Sequence, residues 1–570
     1  MLNVKLIWIC VIYLALAIFT RYNIATTHFT SWDDIYPGYI AMKIAELNRI
    51  EFLYFIEKHN SNLPTYLNIF PTIFLKLLST PFYIAKTTAY APLQYFLNPF
   101  LILSLIEFET TDYLKTLFII RLQSFLFSIF YFILFFYFII KKIHKYSEKF
   151  CLIFIGGTFF LTSWPFLTLS GHGGNYANLL FCILALILNM YFLMNTKKNK
   201  FFLLSGFTWI LLVLTNYQII FFLPASILTL FILKKDDLRK NLLNFIYLFI
   251  SILISIFIMI FLLNLHGPDI NFISSKGSNI SKEYLFSNTN YSGLYGFVFF
   301  IVNNLTEVTY SVLAMCNIPE NYHLIFIIFV YFFSILGIFN LYKNNKLVFY
   351  FTISSLVIFL LFFFLSILAF SPTRHIIWLL FFLGILISYG FNFFIELTKY
   401  KKIFYIAILI LSVANFTLFF SEYSSIKKDR EDPLLNLNIK EIISSNKINL
   451  IATYQLSYNL NFNPFVKKYF NQVYNRNGLE ILIERNTKLK DYNNINLLLY
   501  CSNGEPCINK SDKQIYKIKN QIEKIFNKNF TNIVLQKNKS NNVITKTSET
   551  FGNFTINNRK VQIFEIYTLY

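Results

Sequence analysis

Apolar runs long enough to cross a bilayer recur from about residue 4 to residue 420, and no other feature restricts the fold so tightly. A helix of about 18 or more apolar residues spans a hydrocarbon core of about 30 Å. Inside lipid each backbone N–H and C=O must be satisfied within the spanning structure itself. Charged residues make up only 14% of the 570, and hydrophobic ones 56%; soluble domains carry about 25% charge. The sequence therefore predicts an α-helical polytopic membrane protein.

The formal charge of +21 would suit a nucleic-acid partner if it were gathered on one domain. It is not. The cations fall in short loops between apolar runs: Lys141-Lys142 to Lys149, Lys197 to Lys200, Lys234 to Lys240, Lys343 to Lys346 and Lys399 to Lys402. Basic residues retained in short cytoplasmic loops account for that pattern, and no nucleic-acid partner is expected.

The charge rule also orders the spans. The first runs from about 4 to 20, led by Lys5. A cleaved signal peptide is the rival reading, but a small-residue cleavage site is not obvious, which favours an uncleaved anchor. Residues 21–116 contain apolar stretches broken by Pro64, Pro71, Pro81, Pro92 and Pro99. If 89–106 crossed alone, all five basic clusters would face outward, so 21–116 is read as one large outer loop with interface-lying helices. Spans then follow at 117–140, 151–169, 174–194, 202–215, 217–233, 242–264, 323–342, 347–370, 375–397 and 403–420. The expectation is about eleven transmembrane helices, with 10 to 13 compatible with the run lengths. The N-terminus would lie inside. Residues 293–316, interrupted by Asn303-Asn304 and Glu307, read as an outer-surface helix.

Composition shifts near residue 421. The tail, 421–570, is rich in Lys, Asn and Asp, with strand-like runs at Asn449–Thr453, Ile495–Tyr500, Thr531–Leu535 and Val561–Tyr567. Helical patterns at 438–445 and 513–526 lie between them. This predicts a small extracytoplasmic α/β domain, after a membrane domain covering 1–420. No internal repeat of the transporter kind is visible. Of six cysteines, Cys10, Cys151 and Cys182 lie in apolar runs as small core residues. Cys501 and Cys507, in CSNGEPC, would close a small loop outside the cytoplasm. No cysteine spacing suits a metal.

Candidate chemistry collects on the outer face. Asp33-Asp34, in SWDDIYPGY, follow the first span beside Trp32, Tyr36 and Tyr39. Carboxylates near spans gather at mouths and sites because charge at the bilayer centre is costly. Helix capping at the start of a Tyr39–Phe55 interfacial helix is the plainer explanation. The similar pair Asp236-Asp237, in KKDDLRK, sits among basic residues and reads as solvated salt bridges. Arg121 lies just inside the second span and Arg374 opens the tenth, in SPTRHIIW. Each could snorkel to headgroups or clamp a phosphate. In SGHGGNYAN, residues 170–178, three glycines allow close backbone approach, and His172 is placed to meet a phosphate or metal; a tight interhelical turn is the simpler view.

In this order the features resemble the GT-C superfamily of polytopic glycosyltransferases, near the protein O-mannosyltransferase and aminoarabinose-transferase branch. The resemblance covers residues 1 to about 420. It rests on one span followed by Asp33-Asp34 and Tyr36, Pro92–Tyr95 ahead of Arg121-Leu122, Leu214-Thr215 before a further span, and Pro372–Arg374. The resemblance implies a sugar donor linked to polyprenyl phosphate and used on the outer face, with Asp33 as catalytic base. A carboxylate can take the acceptor hydroxyl's proton as it attacks the anomeric carbon, and Arg374 would stabilise the leaving phosphate. Asp34 shares the acidic site, and Tyr36, Arg121 and His172 are its substrate-binding candidates. The chain departs from many relatives by carrying His172, Asn175 and Asn178 where they place an acid. No cofactor is certain; a divalent metal is the one candidate, with no residue assigned to it.

The leading expectation is an inverting transferase acting on an extracytoplasmic glycan, lipid or protein, with membrane lipids as its surroundings. The alternatives are a transporter or flippase of lipid-linked glycans, whose repeats and deep ionisable residues are scarce here, and a polymerase or ligase, which calls for a large late loop. A bacterial plasma membrane suits the compact chain.

Overall fold

The computed structural model of the chain describes residues 2–27, 113–163, 166–167, 176–196, 198–234, 238–266, 323–364, 377–429, 439–454, 464–476, 479–485, 495–501, 512–527, 529–546 and 559–570. Its main division into two compact units falls between Glu422 and Tyr423.

The first unit is helical. Helix α1 (Leu2–Thr27) buries Leu6, Cys10, Tyr13, Ala17, Thr20 and Ile24, a three-and-four spacing that defines one packing face. Trp8, Ile12 and Phe19 lie exposed on its other sides, leaving the helix apolar all round, as lipid contact requires. Helix α2 (Tyr113–Lys142) runs antiparallel to it: Arg121 meets Ala25, Tyr22 meets Phe125 at 6.4 Å, and Tyr13 meets Phe136 at 6.1 Å.

The helical segment that holds the next apolar run starts earlier than the expected 151–169. It comprises α3 (Tyr146–Cys151), a π-helical turn (Leu152–Gly157) and α4 (Thr158–Thr162). The π turn carries a glycine pair at close contacts, where a Cβ on Gly156 would sit 3.0 Å from Ser388 Oγ and one on Gly157 3.1 Å from the Tyr13 ring. Helix α5 (Tyr176–Asn195) pairs with α6 (Asn199–Thr215) through a 2.8 Å bond from Trp209 Nε1 to Asn189 Oδ1. The expected hairpin around Thr215-Asn216 is present. Asn216 ends α6 and caps the following 3₁₀ turn (Tyr217–Phe221) by accepting from Gln218 N at 2.9 Å, and α7 (Phe222–Leu233) returns.

Helix α8 (Leu238–His266) packs on α6 at Gly206, where a Cβ would collide with Ser251 and the Leu248 carbonyl. Helices α9 (His323–Asn344) and α11 (Ile377–Leu397) cross backbone against backbone: Gly337 faces the Leu386 carbonyl and Gly390 the Phe333 carbonyl. Small residues permit such approach where association rests on van der Waals contact. Helix α10 (Lys346–Phe364) lies antiparallel to α11, with Phe359 stacked on Trp378 at 4.0 Å and Phe351 against Phe382 at 5.9 Å. Helix α12 (Lys401–Asp429) runs along α3 and the π-helical turn through Tyr405–Phe150 at 4.7 Å and Ser412 Oγ to the Phe154 carbonyl at 2.8 Å.

Among the described residues, five helical segments are long and apolar enough to span a membrane: Lys5–Thr26, Arg121–Lys142, Ala177–Asn195, Ile377–Leu397 and Lys401–Ser421. Five shorter apolar segments accompany them: Asn199–Thr215, Tyr217–Leu233, Leu242–Ile258, Ile328–Asn344 and Lys346–Leu361.

The C-terminal unit is a six-stranded mixed sheet, ordered β2-β3-β1-β4-β6-β5, with β1 Leu450–Tyr454, β2 Phe470–Arg476, β3 Leu479–Glu484, β4 Ile495–Cys501, β5 Ile533–Lys546 and β6 Arg559–Leu569. Only the central β1–β4 pairing is parallel. Alternate residues point to opposite faces. Leu450, Ala452, Leu497 and Leu499 pack with Ile522 of α15 (Asp512–Phe526). Ile451 and Leu498 pack on the other side with α13 (Ile439–Ser445) and Val466 of α14 (Pro464–Tyr469). The chain thus repeats one path: β1-α14-β2-β3 and β4-α15-β5-β6 each cross over one strand, on opposite faces. An approximate twofold axis along the strands, between β1 and β4, relates the halves. The sequence showed neither this repeat nor β2, β3 and α14.

Candidate functional site

Polar side chains concentrate at the two ends of the helical unit. At one end stand two arginines. Arg121 sits in the second span, as expected, but does not reach outward. It is fully buried and donates from Nη1 to the Ala25 carbonyl at 3.2 Å, in the last turn of α1, where cations satisfy orphan carbonyls. Arg21, which sequence reasoning left just outside the first span, is also buried. Its guanidinium donates to the carbonyls of Phe160 at 2.8 Å and Leu161 at 2.9 Å and to Thr20 Oγ1 at 3.0 Å, and its Cζ lies 4.9 Å from the Phe132 ring centre. The signal that could have found it is the α1 packing pattern, which continues past Thr20 to Ile24 and carries Arg21 along.

Arg21, Ser128, Tyr131, Phe132, Phe160, Phe166, Ala177, Leu180 and Ile377 line a small cavity of about 10 Å³. The ends of α1, α4, α5 and α11 therefore meet there.

At the other end, four chain segments share a polar network. Lys145 Nζ donates to Glu396 Oε1 and to Asn344 Oδ1, both at 2.8 Å, and stands 3.9 Å from Glu148 Oε1. Tyr389 donates to Glu148 Oε2 at 3.4 Å, Asn345 Nδ2 reaches the Tyr389 hydroxyl at 3.5 Å, and Tyr191 donates to Asn345 Oδ1 at 2.6 Å. Burial pushes the Glu148 carboxyl up to about 7 and Glu396 adds to this, while Lys145 and the Tyr389 hydrogen bond pull it down. Lys234 Nζ bonds to the Thr196 carbonyl at 3.4 Å, and burial lowers its pKa. Through these contacts the 141–149 and 343–346 clusters are joined directly, Glu396 brings in the end of α11 just ahead of 399–402, and the start of the 234–240 cluster meets the residue ahead of 197–200. Glu148 and Glu396 drew no attention in the sequence because each stands among lysines.

Asp33, Asp34, Tyr36, His172 and Arg374 lie outside the described residues, as do Pro92–Tyr95, the Tyr39–Phe55 helix, Asp236-Asp237, residues 293–316 and Cys507. The segments holding Asp33, His172 and Arg374 do, however, begin at described helix ends. Asp33 follows Thr27 by six residues, His172 follows Leu167 by five, and Arg374 precedes Ile377 by three. Among the described residues, no group of three or more His, Cys, Asp or Glu side chains is placed to hold a metal ion.

These features define a class: a helical membrane protein with a small C-terminal sheet. No protein-family model, curated protein or solved structure matches the chain.

Proposed function

We propose that the chain is a membrane glycosyltransferase that moves a sugar from a polyprenyl-phosphate-linked donor to an extracytoplasmic glycan, lipid or protein by inverting transfer. The supporting observation is convergence. The helix ends that launch the Asp33, His172 and Arg374 segments border the cavity holding Arg21 or lie within a turn or two of it, and Arg121 ties the end of α1 in place. The five basic clusters belong to the opposite ends of the same helices; Arg121 and Lys142 are separated by about 32 Å of helix.

In this reading Asp33 removes the acceptor proton, with Asp34 and Tyr36 beside it. Arg374 stabilises the charge that develops on the leaving phosphate, and His172 contacts the donor. Arg121 is a positioning residue, because its hydrogen bond holds the helix end from which the Asp33 segment starts.

The test is transfer of labelled sugar from polyprenyl-phosphate donors in membranes carrying wild type or Asp33→Asn. Loss of a positioned base should lower transfer by about a hundredfold or more at unchanged protein level. Full transfer by Asp33→Asn would remove the base assignment. Movement of labelled lipid across the bilayer without any glycosidic product would replace the transferase with a flippase.

A further inference from the structure

The Arg21 cavity carries an inference that rests on the donor reading above. Tyr131 is one of the cavity-lining residues; it is 2% exposed, and its hydroxyl is buried without a hydrogen-bond partner. Ser128 and Arg21 line the same space. A buried hydroxyl left unpaired costs about 1–3 kcal/mol, so its retention calls for an occupant. The space, about 10 Å³, matches one oxygen atom and no more.

We infer that Arg21, Ser128 and Tyr131 form a subsite for a single non-bridging oxygen of a phosphate group. A neutral water would satisfy the hydroxyls, but the adjacent cation favours an anionic oxygen, and hydrogen bonds to such an oxygen are shorter and about twice as strong. Low local polarity strengthens the attraction further. A tetrahedral phosphoryl group can send one oxygen inward while its remaining substituents stay outside. The other walls, including Phe132, Phe160, Phe166 and Ile377, are apolar and suit a phosphate that carries a hydrocarbon chain. Arg121 is not among the residues that line this subsite.

The experiment measures binding to the purified full-length protein in detergent, using polyprenyl phosphate, the neutral polyprenol of equal length and inorganic phosphate as probes. Tyr131→Phe and Ser128→Ala are the variants, since neither removes the Arg21 contacts that hold α4. Tyr131→Phe should keep or raise the melting temperature, because it deletes an unpaired polar atom. It should weaken polyprenyl-phosphate binding about five- to tenfold and leave polyprenol binding unchanged, with Ser128→Ala weakening it less. Wild-type affinity for polyprenyl phosphate in both variants would overturn the subsite, leaving a water as the occupant, while the donor reading stands. Tyr131-dependent binding of inorganic phosphate without binding of the lipid would keep the subsite and remove the lipid donor. No binding of either phosphate by wild type would overturn both.

Discussion

Lys145 Nζ lies 2.8 Å from Glu396 Oε1 and only 3.9 Å from Glu148 Oε1, so one ammonium group stands between two carboxylates from segments far apart in the chain. The three are not equivalent. Lys145 is half exposed, whereas the Glu148 side chain is 5% exposed, and Glu148 therefore bears most of the desolvation.

A pH dependence follows. Burial raises the folded-state pKa of Glu148 from 4.5 to about 7, so across that interval the folded state binds more protons than the unfolded one. Stability must then fall as pH rises through this window and level off above about 7. Other groups titrate too, so the informative quantity is the difference between wild type and Glu148→Gln. The glutamine variant should lose part of the slope and melt higher than wild type at pH 8. Identical slopes in melting curves from pH 5 to 8 would refute the assignment.

The crossing of α9 and α11 has no room for a methyl group. A Cβ on Gly390 would overlap the Phe333 carbonyl, and one on Gly337 the Leu386 carbonyl, both backbone atoms. Neither can rotate away. Gly390→Ala should destabilise the helical unit by about 1–3 kcal/mol, the usual cost of overpacking. Gly156→Ala is the milder comparison, since its Cβ would meet the Ser388 hydroxyl at 3.0 Å. Melting in detergent gives the order; equal melting of Gly390→Ala and wild type would contradict the crossing.

In the C-terminal unit, Ile522 of α15 is fully buried against the sheet. Ile522→Ala should cost about 2–5 kcal/mol and expose the tail to protease in the full-length chain. Lys524, on the same helix, is exposed, and surface substitutions of that kind usually change stability by no more than about 0.5 kcal/mol. Lys524→Ala should therefore leave the digestion pattern unchanged. Equal resistance of Ile522→Ala and wild type would show that α15 does not seat there.

How much of this was legible beforehand depended on periodicity. Apolar runs such as 117–140 and 323–342 announced helices whose observed limits, 113–142 and 323–344, differ by a few residues, because the helices continue past the apolar run into polar residues such as Lys115, Lys141-Lys142 and Lys343. Strands β1 and β4 were readable for the same reason, as the runs Asn449–Thr453 and Ile495–Tyr500; their parallel pairing was not. Strand β2 was not, because FNQVYNR alternates too weakly. Arg21 and Glu148 were missed for a different reason. Side-chain type suggests solvent for both, and only tertiary packing buries them. Of the proposed site, the sequence identified Arg121 but not its carbonyl partner, since a hydrogen bond to Ala25 cannot be inferred from spacing.

Membrane sidedness offers the widest test, because the polar network already joins loops that the charge rule assigned to one side. Lys145 reaches Asn344 and Glu396, Tyr191 near the end of α5 reaches Asn345, and Lys234 reaches Thr196, so these contacts require the helix ends they join to face one compartment, whichever it is. Single cysteines at His144, Lys200, Lys343 and Lys399, in a background lacking native cysteines, should all resist an impermeant thiol reagent in intact cells and react after lysis. Cysteines at Thr30 and Ser540 should react in intact cells, as an outer-face Asp33 and an extracytoplasmic tail require. Reaction of the four loop positions in intact cells would invert the topology and remove the outer-face transferase. A split among those four would be more severe, since the hydrogen bonds of Lys145 or the Tyr191–Asn345 contact could not then exist.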